Sequence, residues 1–263
     1  MQVDAGTLTI IILLVTLIVS LLATAVARLR RQSIVLRHHP AFAAMPLLVS
    51  ESLEADRTLH FSFGSVIPSG ATTPLMVASA EVFTLLATRA AVGAKTPLLT
   101  MSEVSTLPLA YDVLRRAYRL RGRADQFRND AVQWYPEGPR SLAFAAALTA
   151  AISDEKVSAN IFMGSFGPEL ALIMDAALRR GQSAIAASDQ LEGQAVAYAM
   201  SDEELIGEEM FAGGAYLGGS AAQVGGVVAL DMLRVLLIAG LLLMVADRLT
   251  GGVYLSALLR GGG

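Results

Sequence analysis

Few residues in this chain have the type and spacing that chemistry requires. It carries three histidines and no cysteine, which removes thiolate metal sites, disulfides and a cysteine nucleophile. His38 and His39 are adjacent, so a strand turns them to opposite faces and a helix sets them about 100° apart; neither arrangement makes a metal pair. They read as interfacial residues near lipid headgroups. His60 stands alone in an alternating stretch, TLHFSF at 58–63, and reads as a packed, hydrogen-bonded strand residue rather than a base. No Gly-x-Ser-x-Gly elbow, His-Glu-x-x-His or complete Gly-x-Gly-x-x-Gly follows a strand.

What remains is anion chemistry at glycine loops. The stretch 58–63 is followed by GSVIPSGATTP and an apolar helical run from about Leu75 to Val92, the order in which phosphate loops occur. The strict pattern fails. Gly64 and Gly70 enclose five residues rather than four, and Ala71 stands where a lysine would reach the phosphates. Thr72 and Thr73 then read as N-cap residues before Pro74. A second loop, Gly164-Ser165-Phe166-Gly167-Pro168-Glu169, has two glycines that let backbone N–H groups approach an anion and a helix whose positive end would attract one. Glu169 would repel it from the same place. The candidate ligand contacts are therefore Gly64, Ser65, Ser102, Gly164, Ser165 and Gly167, with no cofactor and no metal implied. Glu208 and Glu209 diverge by about 100° on a helix and make a poor cation site. Ser201 with Glu204 reads as a capping box for a helix beginning at Asp202.

Those loops need a frame. Residues 97–122 and 160–182 repeat one plan: an apolar strand, a short polar turn, then a helix carrying Asp and a double arginine, Asp112 with Arg115 and Arg116, Asp175 with Arg179 and Arg180. AVQWYP at 131–136, SAIAAS at 183–188 and AVAYAM at 195–200 read as further strands, with an alanine-rich helix from Ser141 to Ile152. Apolar strands alternating with helices predict an α/β fold, a Rossmann-like parallel-sheet sandwich with its loops at the C-terminal strand ends.

The chain that carries this domain is greasy at both ends. Residues 7–27 hold no charge, and at 1.5 Å per residue they cover about the 30 Å of a bilayer core. Asp4 precedes them while Arg28, Arg30, Arg31 and Arg37 follow, which predicts an outer N-terminus (1–6) and a cytoplasmic domain. Ser20, Thr24 and Ala27 share a small-residue face that either admits a second helix or faces lipid. A second span is expected at 230–249, with Asp231 and Arg234 paired at the inner interface, or alternatively a helix entering one leaflet only. The remaining divisions are an extended juxtamembrane collar at 28–57, the domain at 58–212, a Gly/Ala-rich joint at 213–229 and an interfacial tail at 250–263. This places the protein in the inner membrane as a two-pass protein.

The formal net charge is −3, which gives no field for nucleic acid. Its distribution is uneven. Six arginines lie between Arg115 and Arg128 against Asp125, while 181–233 contains no Lys or Arg. Arg115, Arg116 and Arg119 facing Asp202, Glu203, Glu208 and Glu209 of a neighbouring copy would give a head-to-tail homo-oligomer; two ordinary solvated faces are the other reading. The expected partners are the lipid bilayer, further copies of the chain and other membrane proteins.

LHFSFG, LLTMSEVSTLPLAYDVLRRAYR, VSANIFMGSFGPE and LIGEEMFAGGAYL together resemble a family of bacterial membrane proteins carrying a domain of unknown function, over roughly residues 58 to 220. The resemblance implies this architecture and assigns no activity. The functional expectation is a membrane-anchored, self-associating scaffold without catalytic activity; the alternative is a membrane-tethered ligand or nucleotide-binding sensor using the strand-end loops.

Overall fold

The computed structural model describes residues 5–29, 36–138, 141–154 and 156–249. Arg30, Arg31 and the expected tail at 250–263 lie outside the described residues, as do residues 1–4 of the expected outer segment. The chain divides into two units, one made from both ends of the sequence and one from Arg37–Gly218.

In the first unit, uninterrupted apolar sequence makes two helices, α1 (Ala5–Leu29) and α9 (Ala221–Leu249). At 25 and 29 residues they are about 37 and 43 Å long, and both are long and apolar enough to cross a membrane. They run antiparallel. Gly225 lies against Thr24 so closely that an added Cβ would sit 2.6 Å from Thr24 Cα, and Ala23, Ala27 and Ala229 are buried around it. Small residues let two backbones approach where apolar burial offers no drive. Thr24 and Ala27 thus serve the helix pair, and Asp231 meets Arg234 at 3.9 Å. α9 starts earlier than the predicted second span because the glycines of the joint continue the helix, Gly225 packing on Thr24.

The second unit is built on six strands: β1 (Thr58–Gly64), β2 (Leu98–Met101), β3 (Val132–Trp134), β4 (Val157–Ser165), β5 (Ser183–Ser188) and β6 (Glu203–Leu205). All neighbours pair in parallel, in the order β3-β2-β1-β4-β5-β6. The connections are α3 (Thr73–Ala90), α4 (Leu107–Leu120), α5 (Leu142–Asp154), α6 (Leu170–Leu178) and α7 (Leu191–Met200). Right-handed crossovers from such an order put α3 and α4 on one face and α5 to α7 on the other. The packing agrees: α3 meets α4, whereas α5 meets α6 and α6 meets α7.

Alternation in β1 explains both layers. Phe61 and Phe63 pack on Phe83 of α3, with ring centroids 5.0 and 4.9 Å apart, contacts worth about 0.5–1.5 kcal/mol per pair beyond area burial. Across the sheet, Phe144, Leu148, Phe162, Phe166, Ile173 and Met174 belong to the second core.

Four local expectations are corrected. The collar is not extended: Pro40–Glu54 is a helix, α2, with Pro40 in its first turn and Pro46 inside. Burial of Ala41, Phe42, Met45, Leu48 and Val49 along one side outweighs the hydrogen bond that Pro46 removes. Residues 195–200 lie in α7 rather than a strand. Glu203–Leu205 is a strand, so no helix begins at Asp202; the Ser201 hydroxyl and the Asp202 carboxylate accept the N–H groups of Ala186 and Ala184, at 3.0 and 2.8 Å, and pin β6 beside β5. Thr72 does not cap α3 with its side chain; its hydroxyl bonds the Ile67 backbone. The expected joint begins with a short helix, α8 (Gly213–Leu217), where a Cβ on Gly213 would strike Val82 Cγ2 at 2.3 Å. Tyr216 of α8 stacks on Phe42 of α2, and His39 Nε2–H donates to the Glu209 carboxylate at 2.9 Å. The two ends of the unit therefore meet, with His39 held by the fold.

Candidate functional site at the ends of the strands

A polar ladder crosses the buried sheet. Thr100 on β2, His60 on β1, Asn160 on β4 and Gln182 just before β5 are linked in sequence, with Thr100 Oγ1 to His60 Nε2 at 2.9 Å, His60 Nδ1 to Asn160 Oδ1 at 2.8 Å and Asn160 Nδ2 to Gln182 Oε1 at 2.9 Å. Gln182 ends the chain on Ile152 O at 3.2 Å. The tautomer that satisfies both neighbours is neutral, with Nδ1–H donating and Nε2 accepting. Burial favours that form, pushing the His60 pKa down to about 4 against the opposing pull of the Asn160 hydrogen bond. His60 is packed and hydrogen-bonded as its setting predicts, and it holds the register of three strands.

At the C-terminal strand ends, order reverses between β1 and β4, the place where open α/β sheets bind ligands. The predicted residues do gather here, but they bond to one another. Ser65 donates its N–H and its hydroxyl to Ser165 O, at 2.9 and 3.1 Å. Ser102 does the same to Gly64 O, at 2.9 and 3.2 Å. Gln190 Nε2 donates to Ser165 Oγ at 2.9 Å. Gly167 N–H, the donor an anion would use, binds the buried Glu169 carboxylate at 2.7 Å. That side chain fills the anion position from within, as like charge in the first turn of α6 suggests. Gly64 and Gly164 serve close approach instead: an added Cβ would lie 2.2 Å from Ser165 O and 1.9 Å from Phe63 O respectively. Ser188 completes the closure, accepting the N–H groups of Phe166 and Gln190, each at 3.1 Å, and donating to Phe166 O at 2.7 Å.

The open space lies at the other end. A cavity of about 480 Å³ sits under the N-terminal ends of β1, β2 and β3 and beside the start of β4, lined among others by Asp56, Lys95, Arg128, Asp130 and Lys156. Arg128 grips Asp130 through two guanidinium nitrogens at 3.1 and 2.5 Å, and that bond holds the Asp130 carboxyl below its ordinary range. Sequence reasoning missed Lys95 and Lys156. The signal was present, since they are the only lysines in the chain and each stands just before an apolar strand.

The charged residues fall on opposite edges of the sheet. Arg115, Arg116 and Arg119 are exposed on α4, which leads to edge strand β3. Glu203 and Glu204 are half-buried on the other edge strand, β6, and exposed Glu208 and half-buried Glu209, bonded to His39, follow it. Asp202 belongs to the internal bonding described above. Among the described residues no three His, Asp or Glu side chains gather to hold a metal ion.

A model of the family described as Domain of unknown function (DUF6754) matches residues 2–256. The chain belongs to that family. The DUF6754 match extends beyond the stretch 58–220 and takes in both α1 and α9, so the apolar helices and the α/β unit form one family module. No curated protein and no solved structure matches the chain.

Proposed function

We propose that this protein is a membrane-anchored structural element that self-associates head to tail and carries no catalytic activity. The observation that carries the reading is the segregation of charge to opposite edges of one sheet. Six strands at about 4.8 Å spacing set the two edge strands, β3 and β6, about 24 Å apart. A contact between unlike patches on two copies leaves one of each free, so assembly continues to a ring or an open array. Two apolar helices, one before and one after the domain, would confine every copy to one sheet of lipid with one orientation. Arg28 in the last turn of α1 and Arg37 beyond it favour the cytoplasmic side of an inner membrane. The absence of a reaction is supported by the self-bonded strand-end loops and by a histidine that is buried and neutral.

Exposed charge pairs are worth about 0.2–1 kcal/mol each and are screened by salt. The test is native mass spectrometry of detergent-extracted protein at about 0.05 M and about 1 M salt. Oligomers at low salt that dissociate at high salt fit the proposal; monomers at both overturn it. One observation favours a second reading, a ligand sensor at the C-terminal strand ends: the strand order is that of dinucleotide-binding sheets. Glu169 and Gln190 would have to swing away. Thermal stabilisation by a nucleotide that survives loss of both lysines would place the ligand there.

A further inference from the structure

Both lysines of this chain line one cavity. The strand order sets the N-terminal ends of β3, β2, β1 and β4 side by side, and three spacings of about 4.8 Å make a floor about 14 Å across. Arg128 stands at the β3 side, Lys95 before β2 and Lys156 before β4. Against these three cations the lining holds two carboxylates, Asp56 and Asp130, and Asp130 is taken by Arg128.

Lysines at this end of a parallel sheet have an ordinary task, since the helices here present their carbonyl ends and partial negative charge. That task is already filled by other residues. Arg121 and Arg123 donate to Thr88 O and Ala91 O at the end of α3, both at 2.8 Å. Arg180 and Gln182 donate to Ser153 O and Ile152 O at the end of α5, at 3.4 and 3.2 Å. Among the described residues neither Lys95 nor Lys156 has a hydrogen bond or an ion pair. Two ammonium groups are thus presented to one space without a partner among the described residues.

Asp56 and Lys156 have φ of 49° and 52°, in the left-handed region, and they are two of only three non-glycine residues so placed among those described. At Asp56 this conformation closes the end of α2, where the Arg57 N–H reaches Ser52 O at 3.0 Å. Both residues line the cavity.

We propose that this cavity binds a phosphorylated sugar, with Lys95 and Lys156 on the phosphate oxygens and the Asp56 carboxylate accepting from sugar hydroxyls. An ammonium group is a compact point charge suited to phosphate oxygens. The carboxylate would repel a bare polyphosphate and favour a ligand that brings donors. Thr58, Thr96 and Gln133 add neutral polar contacts around the wall. The volume falls within the ~300–1,000 Å³ of small-molecule sites. A free sugar phosphate and the headgroup of a glycerol- or inositol-bearing phospholipid share this chemistry. The site is separate from both charged edges of the sheet, so it stands whether or not the protein assembles.

Isothermal titration of the full chain in detergent tests it, with glucose phosphate, fructose bisphosphate, a nucleoside diphosphate and inorganic pyrophosphate as probes. Phosphatidylglycerol and phosphatidylinositol vesicles form a separate arm. The expected result is one site per chain for a sugar-bearing probe, weakened about tenfold for each of Lys95→Gln and Lys156→Gln. The Lys95→Arg/Lys156→Arg pair keeps the affinity, and Arg180→Gln, outside the cavity, leaves it unchanged. Saturable binding to vesicles alone, lost in the glutamine pair, assigns the ligand to a lipid headgroup and supports the site. No binding in either arm, or binding that the glutamine pair does not weaken, overturns it.

Discussion

Acid should unfold the α/β unit through His60. Its side chain is 0% exposed, and burial lowers its pKa from 6.5 to about 4. Between those values the unfolded chain binds a proton that the folded chain refuses, so stability falls as pH drops. The contribution is fully present above pH 6.5 and is lost progressively towards pH 4. A difference of about 2.5 pKa units amounts to about 3 kcal/mol, a large share of the stability of an ordinary domain. Trp134 is the only tryptophan and lies on β3, where its indole N–H donates to Ser102 O at 2.8 Å. Its fluorescence therefore follows this unit while α1 and α9 stay in detergent. Urea unfolding of the full chain should be recorded from pH 7.5 to about pH 4, beside a His60→Gln variant. Carboxylates titrate over part of the same range in both proteins, and the difference between them isolates the imidazole. The wild type should lose about 3 kcal/mol more than the variant over this window. Parallel pH profiles would refute the reasoning.

Other expectations follow from the strand-end loops and the helix pair. Gly64 and Gly181 share a left-handed backbone, φ 60° and 65°, but only Gly64 faces an obstacle at 2.2 Å. Urea midpoints should show Gly181→Ala costing about 1 kcal/mol and Gly64→Ala about 3 kcal/mol or more. Ser188→Ala leaves the N–H groups of Phe166 and Gln190 without their shared acceptor and should cost about 1–3 kcal/mol by the same measurement. Gly225→Leu drives a side chain into Thr24; cross-linking between single cysteines introduced into α1 and α9 should fall, with unfolding of the α/β unit unchanged.

Much of the fold was legible because periodicity and turn residues spoke for the same elements. The segments 97–122 and 160–182, each an apolar strand joined to a helix through a polar turn, with further apolar runs such as 183–188, led to a parallel sheet. The failures have local causes. Ser201-Asp202-Glu203-Glu204 carries helix-start chemistry, but its side chains bond the N–H groups of β5, a partner no local pattern reveals. Pro40 and Pro46 read as breaks, whereas Pro40 opens a helix and the buried side of α2 carries the second proline. At the strand ends the glycines and serines read from the sequence do lie together, yet whether their donors face a ligand or each other depends on Glu169 and Gln190, which belong to different loops. The lysine cavity was invisible because it collects residues from before β1, β2, β3 and β4, and only the strand order brings them together.

The sharpest measurement of head-to-tail assembly uses two complementary variants in detergent at low salt. Arg115→Glu/Arg116→Glu/Arg119→Glu turns the basic patch acidic, and Glu203→Lys/Glu204→Lys/Glu208→Lys turns the acidic patch basic. Native mass spectrometry should find each variant monomeric alone and a mixed complex when the two are combined. If each variant assembles as the wild type does, or if wild type and mixture alike remain monomeric, opposite edges do not join neighbouring copies.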